Sequence, residues 1–130
     1  MKFSVAVYAP PFSSQAAYSA YKFVRAAIAG GHTIERVFFY HEGVYNGTLL
    51  ATAPQDEFDL CNAWRELKQA HSLDLTVCVA AALRRGVLDT SEAKRHDRPA
   101  SNLPPEFDLS GLGQLIDAAV ICDRHITFGA

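Results

Sequence analysis

Short apolar runs alternate along the chain with longer stretches in which apolar residues recur every three or four positions, the pattern of strands alternating with helices. Phe3 to Tyr8 reads as a buried strand that Pro10-Pro11 stops, after which Ser13 or Ser14 caps a helix running to Gly30-Gly31. Ile34 to Tyr40, rich in β-branched and aromatic residues, predicts a second strand, followed by a loop from His41 to Gly47. A helix with Asp56 and Glu57 in its first turn is expected to run to about His71, with Leu60, Trp64, Leu67 and His71 along one face. Leu73 to Val79 is the third strand, and it passes straight into a helix-favouring Ala80 to Arg85 that Gly86 ends. Between Val87 and Leu109 the pattern weakens to a short helix around Ser91 to Arg95, a Pro-punctuated loop and room for one short strand. Ser110 is the expected cap of a last helix to Cys122 that buries Leu112, Leu115, Ile116 and Ala119, before a final strand from Arg124 to Phe128.

This order predicts an α/β fold: three layers, α/β/α, around a mostly parallel sheet of about five strands joined by right-handed crossovers. In such sheets the working loops gather beyond the carboxyl ends of the strands. Ala9 to Gln15, His41 to Gly47 and the junction at Cys78 are therefore expected along one edge. At 130 residues, 1–130 is read as a single domain with one core, and 49% hydrophobic against 20% charged residues is the balance of a folded chain.

A net charge of -2 and the absence of a basic run argue against direct nucleic-acid binding. The opening Met1 to Tyr8 lacks the long apolar stretch and cleavage site of a secretory signal, and no apolar run reaches membrane-spanning length. A cytoplasmic protein without membrane contact is expected. Three cysteines, Cys61, Cys78 and Cys122, without C-x-x-C spacing, suggest free thiols rather than disulfides or zinc, and His32, His96 and His125 show no metal-like pairing. Neither G-x-G-x-x-G nor G-x-x-x-x-G-K-[ST] follows the first strand, and no G-x-S-x-G elbow is present, so no cofactor, nucleotide or metal is expected.

Cys78 is the residue with chemical potential. At a strand end before a helix, a thiol meets free backbone N–H groups that favour a thiolate and hold the charge of a persulfide. The competing reading is a small buried side chain continuing an apolar strand. Cys61 and Cys122 sit near apolar helical stripes, where burial explains them. His41 and Glu42 are placed to hydrogen-bond a substrate sulfur or relay a proton, or else form a solvated loop. Arg84 and Arg85 supply positive potential near Cys78, but adjacent helical positions point apart, so both cannot aim at one sulfur.

Three blocks, Val37 to Asn46, Cys78-Val79-Ala80-Ala81-Ala82-Leu83-Arg84-Arg85-Gly86-Val87, and Ser101-Asn102-Leu103 with Phe107 to Gly113, closely resemble the DsrE/TusD family in order and over nearly the whole chain. The resemblance implies that Cys78 is the sulfur-carrying residue of a sulfurtransferase. It further implies a heterohexamer with two homologous subunits (TusB/TusC-like or DsrH/DsrF-like), a TusA-like sulfur donor and a TusE- or DsrC-like acceptor. In the TusD branch the sulfur ends in 2-thiouridine at the wobble position of transfer RNAs; in the DsrE branch it serves sulfur oxidation. Ala9-Pro10-Pro11 stands where relatives carry a glycine-containing turn. A non-catalytic assembly subunit with a packed Cys78, or a flavodoxin-like binding module, are the readings from other classes.

Overall fold

The computed structural model describes residues 1–129. Its five strands are β1 (Lys2–Val7), β2 (Thr33–Phe39), β3 (Leu75–Cys78), β4 (Asp108–Ser110) and β5 (Arg124–Phe128). They form one sheet in the order β4-β3-β2-β1-β5, with every neighbouring pair parallel. Parallel pairing requires long crossovers. These contain α1 (Gln15–Ala29), α2 (Leu60–His71), α3 (Val79–Arg84), α4 (Thr90–Arg95) and α5 (Gly113–Ile121), with a 3-10 turn (His41–Gly47) after β2. The short strand expected between Val87 and Leu109 is β4, three residues at the sheet edge and too brief to leave a periodic trace.

Successive strand residues point to opposite faces and parallel partners share a face. The pairings Val5–Val37–Leu75 and Val7–Phe39–Val77 therefore line one face, which α1 and α2 cover. Trp64 of α2 is its centre, edge-on to Phe39 and Tyr21 at 5.2 and 5.4 Å between ring centroids. Ser4–Arg36 and Ala6–Phe38–Thr76 line the other face, under α5.

Three sequence expectations need correction. α2 starts at Leu60 rather than around Asp56, because the backbone turns between Pro54 and Glu57 and Asp59 then caps the helix by accepting from the Asn62 N–H at 3.1 Å. Ser110 does not cap the last helix: its backbone is taken up in β4 opposite Cys78, and α5 begins three residues later with no side-chain cap. The buried stripe of α5 also differs. Ala118 is its one fully buried residue and Leu115 packs on the core, whereas Leu112, Ile116, Val120 and Ile121 face solvent. The sheet surface beneath is partly polar, and a nine-residue helix lying on it has a narrow inner line, so its remaining apolar side chains point outward.

Candidate active site at the end of the third strand

The loops that follow β1, β2 and β3 meet at one sheet edge. Tyr40 donates its N–H to Val7 O at 3.0 Å, so the 3-10 turn begins against the end of β1. Gly43 lies so close to that strand that a Cβ on it would sit 2.0 Å from Val7 O; no other residue fits without moving the turn. Asn46, fully buried, ties three elements together. Its amide donates to Ala9 O at 3.1 Å and to Gly43 O at 2.8 Å, and its carbonyl accepts from Trp64 Nε1 at 3.1 Å. A buried side-chain amide with this many partners fixes the turn firmly.

Cys78 is the last residue of β3 and the cap residue of α3, in extended conformation (φ -63°, ψ 119°). It pairs with Ser110 of β4 on one side, and the 3-10 turn packs against both β3 and α3 on the other. The expectation of a reachable thiol is not met in the chain by itself. Cys78 is only 2% exposed and belongs to the apolar core. The physical reason lies in the fold around it: β4 flanks it on one side, the 3-10 turn packs on the other, and α3 turns back directly after it.

The residues around it divide sharply. Glu42 accepts from Arg85 Nε–H at 2.9 Å, and Arg85 Nη2 lies at 2.9 Å from the same oxygen, Oε1. Arg85 also donates to Ala81 O at 3.1 Å. Arg84 is exposed, so the two arginines do point apart. His41 has φ +49°, a left-handed conformation uncommon for a residue with a side chain. Its ring packs on Tyr40 and Tyr8 at centroid distances of 4.2 and 5.5 Å, on the solvent side of the turn. Among the described residues the Cys78 side chain makes no hydrogen bond, to His41 or to any other group.

The other thiols are placed differently. Cys61 is buried at the start of α2, donates to Tyr45 O at 3.5 Å, and is pushed up to about 12 by burial and then by Asp59. It stays protonated. Cys122 is half-buried rather than buried, its titration raised by burial and by Glu35. It lies just before β5, at the opposite end of the sheet from Cys78. Among the described residues no group of three His, Cys, Asp or Glu side chains is arranged to hold a metal ion, and no helix is long and apolar enough to cross a membrane.

Sequence reasoning missed Asn46 as the keystone of this edge; the one available signal was a lone amide inside an otherwise turn-like segment. It also missed a hollow of about 320 Å³ beyond the far end of α3, lined by Leu83, Leu88, Pro99 and Ala100 with His96 and Arg98 at its rim.

Comparison with known proteins shows the family and the fold. Residues 1–128 match the model of the DsrE/DsrF-like family. The chain is 53% identical to a sulfurtransferase TusD homolog of Pseudomonas aeruginosa, covering 99% of this chain and 98% of that protein. It is 50% identical to the DsrE protein of Allochromatium vinosum, covering 99% of each, and 48% identical to sulfurtransferase TusD of Cronobacter sakazakii, covering 98% and 100%. The crystal structure of the ychN protein from E. coli superposes with a TM-score of 0.78 over 98% of both chains at 16% identity, which shows the shared fold.

Proposed function

The chain belongs to the DsrE/DsrF-like family and is a sulfurtransferase, and from that premise we propose that it accepts a sulfane sulfur as a persulfide on Cys78 and hands it to an acceptor protein. The observation that carries this reading is the position of Cys78, alone among the three cysteines in sitting where a strand meets a helix at the edge shared by the first three strands. Cys61 is held protonated behind Tyr45, and Cys122 is at the far end of the sheet.

The chemistry is two thiol exchanges. Cys78 thiolate attacks the outer sulfur of a donor persulfide, forming a new S–S bond while the donor leaves as its thiolate. The Cys78 persulfide is then attacked at its outer sulfur by the acceptor thiolate, which takes that sulfur and returns Cys78 to a thiolate. No oxidant, reductant or metal enters the balance.

The partners follow the family resemblance: a TusA-like donor, a TusE- or DsrC-like acceptor and two homologous subunits in a heterohexamer, in the cytoplasm. Support for assembly is the outer stripe of α5, where Ile116 and Val120 are 62% and 76% exposed in the single chain. We assign the sulfur to the transfer-RNA wobble 2-thiouridine route. The second reading, sulfur oxidation, follows from the resemblance to the DsrE branch, and the acceptor that unloads the protein decides between them.

Incubation with a persulfidated donor, followed by intact mass and peptide mapping, tests the carrier role. One added sulfur on Cys78, absent from Cys78→Ala, is the expected result. Sulfur found on Cys61 or Cys122 instead, or uptake by Cys78→Ser equal to the parent, would overturn it.

A further inference from the structure

Cys78 as a residue is only 2% exposed, and exchange needs the nucleophile to reach a sulfur atom directly. Something over Cys78 must therefore move. The 3-10 turn is the wrong part: Gly43 is wedged against Val7 and Asn46 binds it to Ala9 and Trp64. α3 is different. It has six residues, three of them alanine, and so offers little side-chain area to hold it down. Gly86, with φ +72°, follows it in a conformation open to glycine and costly for other residues, a natural pivot.

Among the described residues, the Arg85–Glu42 pair is the one side-chain hydrogen bond or ion pair between the segment 79–85 and the turn 41–47. The Glu42 side chain is 52% exposed, so the pair is wet and weak, and a competing charge reaches it easily. It closes the site without locking it.

We propose that Glu42 and Arg85 are positioning residues that set whether Cys78 can be reached: their ion pair holds α3, which begins directly after Cys78, against the 3-10 turn, and its release lets a partner's thiol in. The purpose of this closure rests on the carrier reading, while the closure itself is a property of the chain alone.

The test is the alkylation rate of Cys78 by iodoacetamide in the intact protein, followed by peptide mapping with Cys61 as an internal control for unfolding. When opening is fast relative to alkylation, the rate reports the open fraction. Glu42→Gln and Arg85→Gln should each raise it roughly two- to fivefold, the range open to a solvent-exposed pair. Raising the salt concentration should speed the parent by a similar factor and leave both variants unchanged. The exchanged pair, Glu42→Arg with Arg85→Glu, should restore slow reaction, which a merely local packing defect would not.

Variants that alkylate at the parent's rate, or a parent Cys78 that already reacts as fast as in the urea-unfolded chain, would overturn the proposal. Sulfur loading is scored separately. Loading on Cys78 with unchanged alkylation rates removes the closure and keeps the carrier; faster alkylation with no sulfur ever loaded keeps the closure and removes the carrier.

Discussion

The two faces of the sheet are built on opposite principles. Under α1 and α2 the strands present Val5, Val7, Val37, Phe39, Leu75 and Val77, all buried, against Trp64, Tyr21 and Val24. Under α5 they present Ser4, Arg36 and Thr76 among the apolar residues, tied by side-chain bonds rather than by packing. Arg36 donates to Asp74 Oδ2 at 2.9 Å and to Gln114 O at 2.8 Å, Thr76 Oγ1 donates to Asp74 Oδ1 at 2.6 Å, and His125 lies 3.0 Å from Ser4 Oγ. The first face is a core that a single chain completes. The second is covered by a thin helix with its own apolar side turned outward. One face thus serves folding and also anchors the site through Trp64 and Asn46, while the other leaves an apolar stripe exposed on α5.

The largest effect is expected where the folding face meets the site. Trp64→Ala removes a fully buried ring and leaves Asn46 Oδ1 without its donor, so it should cost about 3–5 kcal/mol in urea unfolding. Gly43→Ala should cost about 1–3 kcal/mol, because the turn must retreat from Val7 to admit a methyl group. An unfolding midpoint for Gly43→Ala equal to that of the parent would mean that the turn floats rather than being anchored against Val7.

The periodic parts of the chain revealed these layers readily. The β5 boundaries and the Leu60–Trp64–Leu67 stripe follow from spacing alone, because a single physical rule governs each, while the cap of α1 is narrowed by spacing to Ser13 or Ser14 and is Ser14. What was hidden depends on residues distant in sequence. The burial of Cys78 arises from Ser110 on one side, the 3-10 turn on the other and the packing of α3 against that turn, and nothing in Val77-Cys78-Val79 states it. The Glu42–Arg85 pair spans 43 positions, and the outward stripe of α5 was misread because apolar spacing cannot say which side of a helix meets the sheet.

A smaller effect separates charge from packing. Glu106 joins the loop before β4 to α2, accepting from Gln69 Nε2 at 2.8 Å and lying 3.6 Å from Arg65 Nε. The Gln69 hydrogen bond, with a lesser contribution from Arg65, holds its carboxyl below the usual carboxylate range of about 4.5. A depressed folded-state value means that the unfolded chain takes up the proton first on acidification. The stabilisation is therefore complete above pH 4.5 and is lost as pH falls through the folded value. Glu106→Gln should lower stability at pH 7 by less than about 1 kcal/mol and show no difference from the parent at the acid end. A constant offset at all pH values would assign the effect to packing instead.

The smallest effect on the chain should come from the second face, and it is the most informative. Ile116→Glu combined with Val120→Lys places opposite charges four residues apart on the exposed side of α5, in the favourable order for a helix. Neither side chain is buried in the chain alone, so its unfolding free energy should stay within about 0.5 kcal/mol of the parent. If homologous subunits cover this stripe, the same pair of substitutions must bury two charges in an apolar contact, and native mass spectrometry of the mixed subunits should show the complex lost. A destabilised single chain would show that the stripe belongs to the core after all. An undiminished complex would move the interface elsewhere, and a complex formed by this chain with itself would replace the heterologous partner by a second copy.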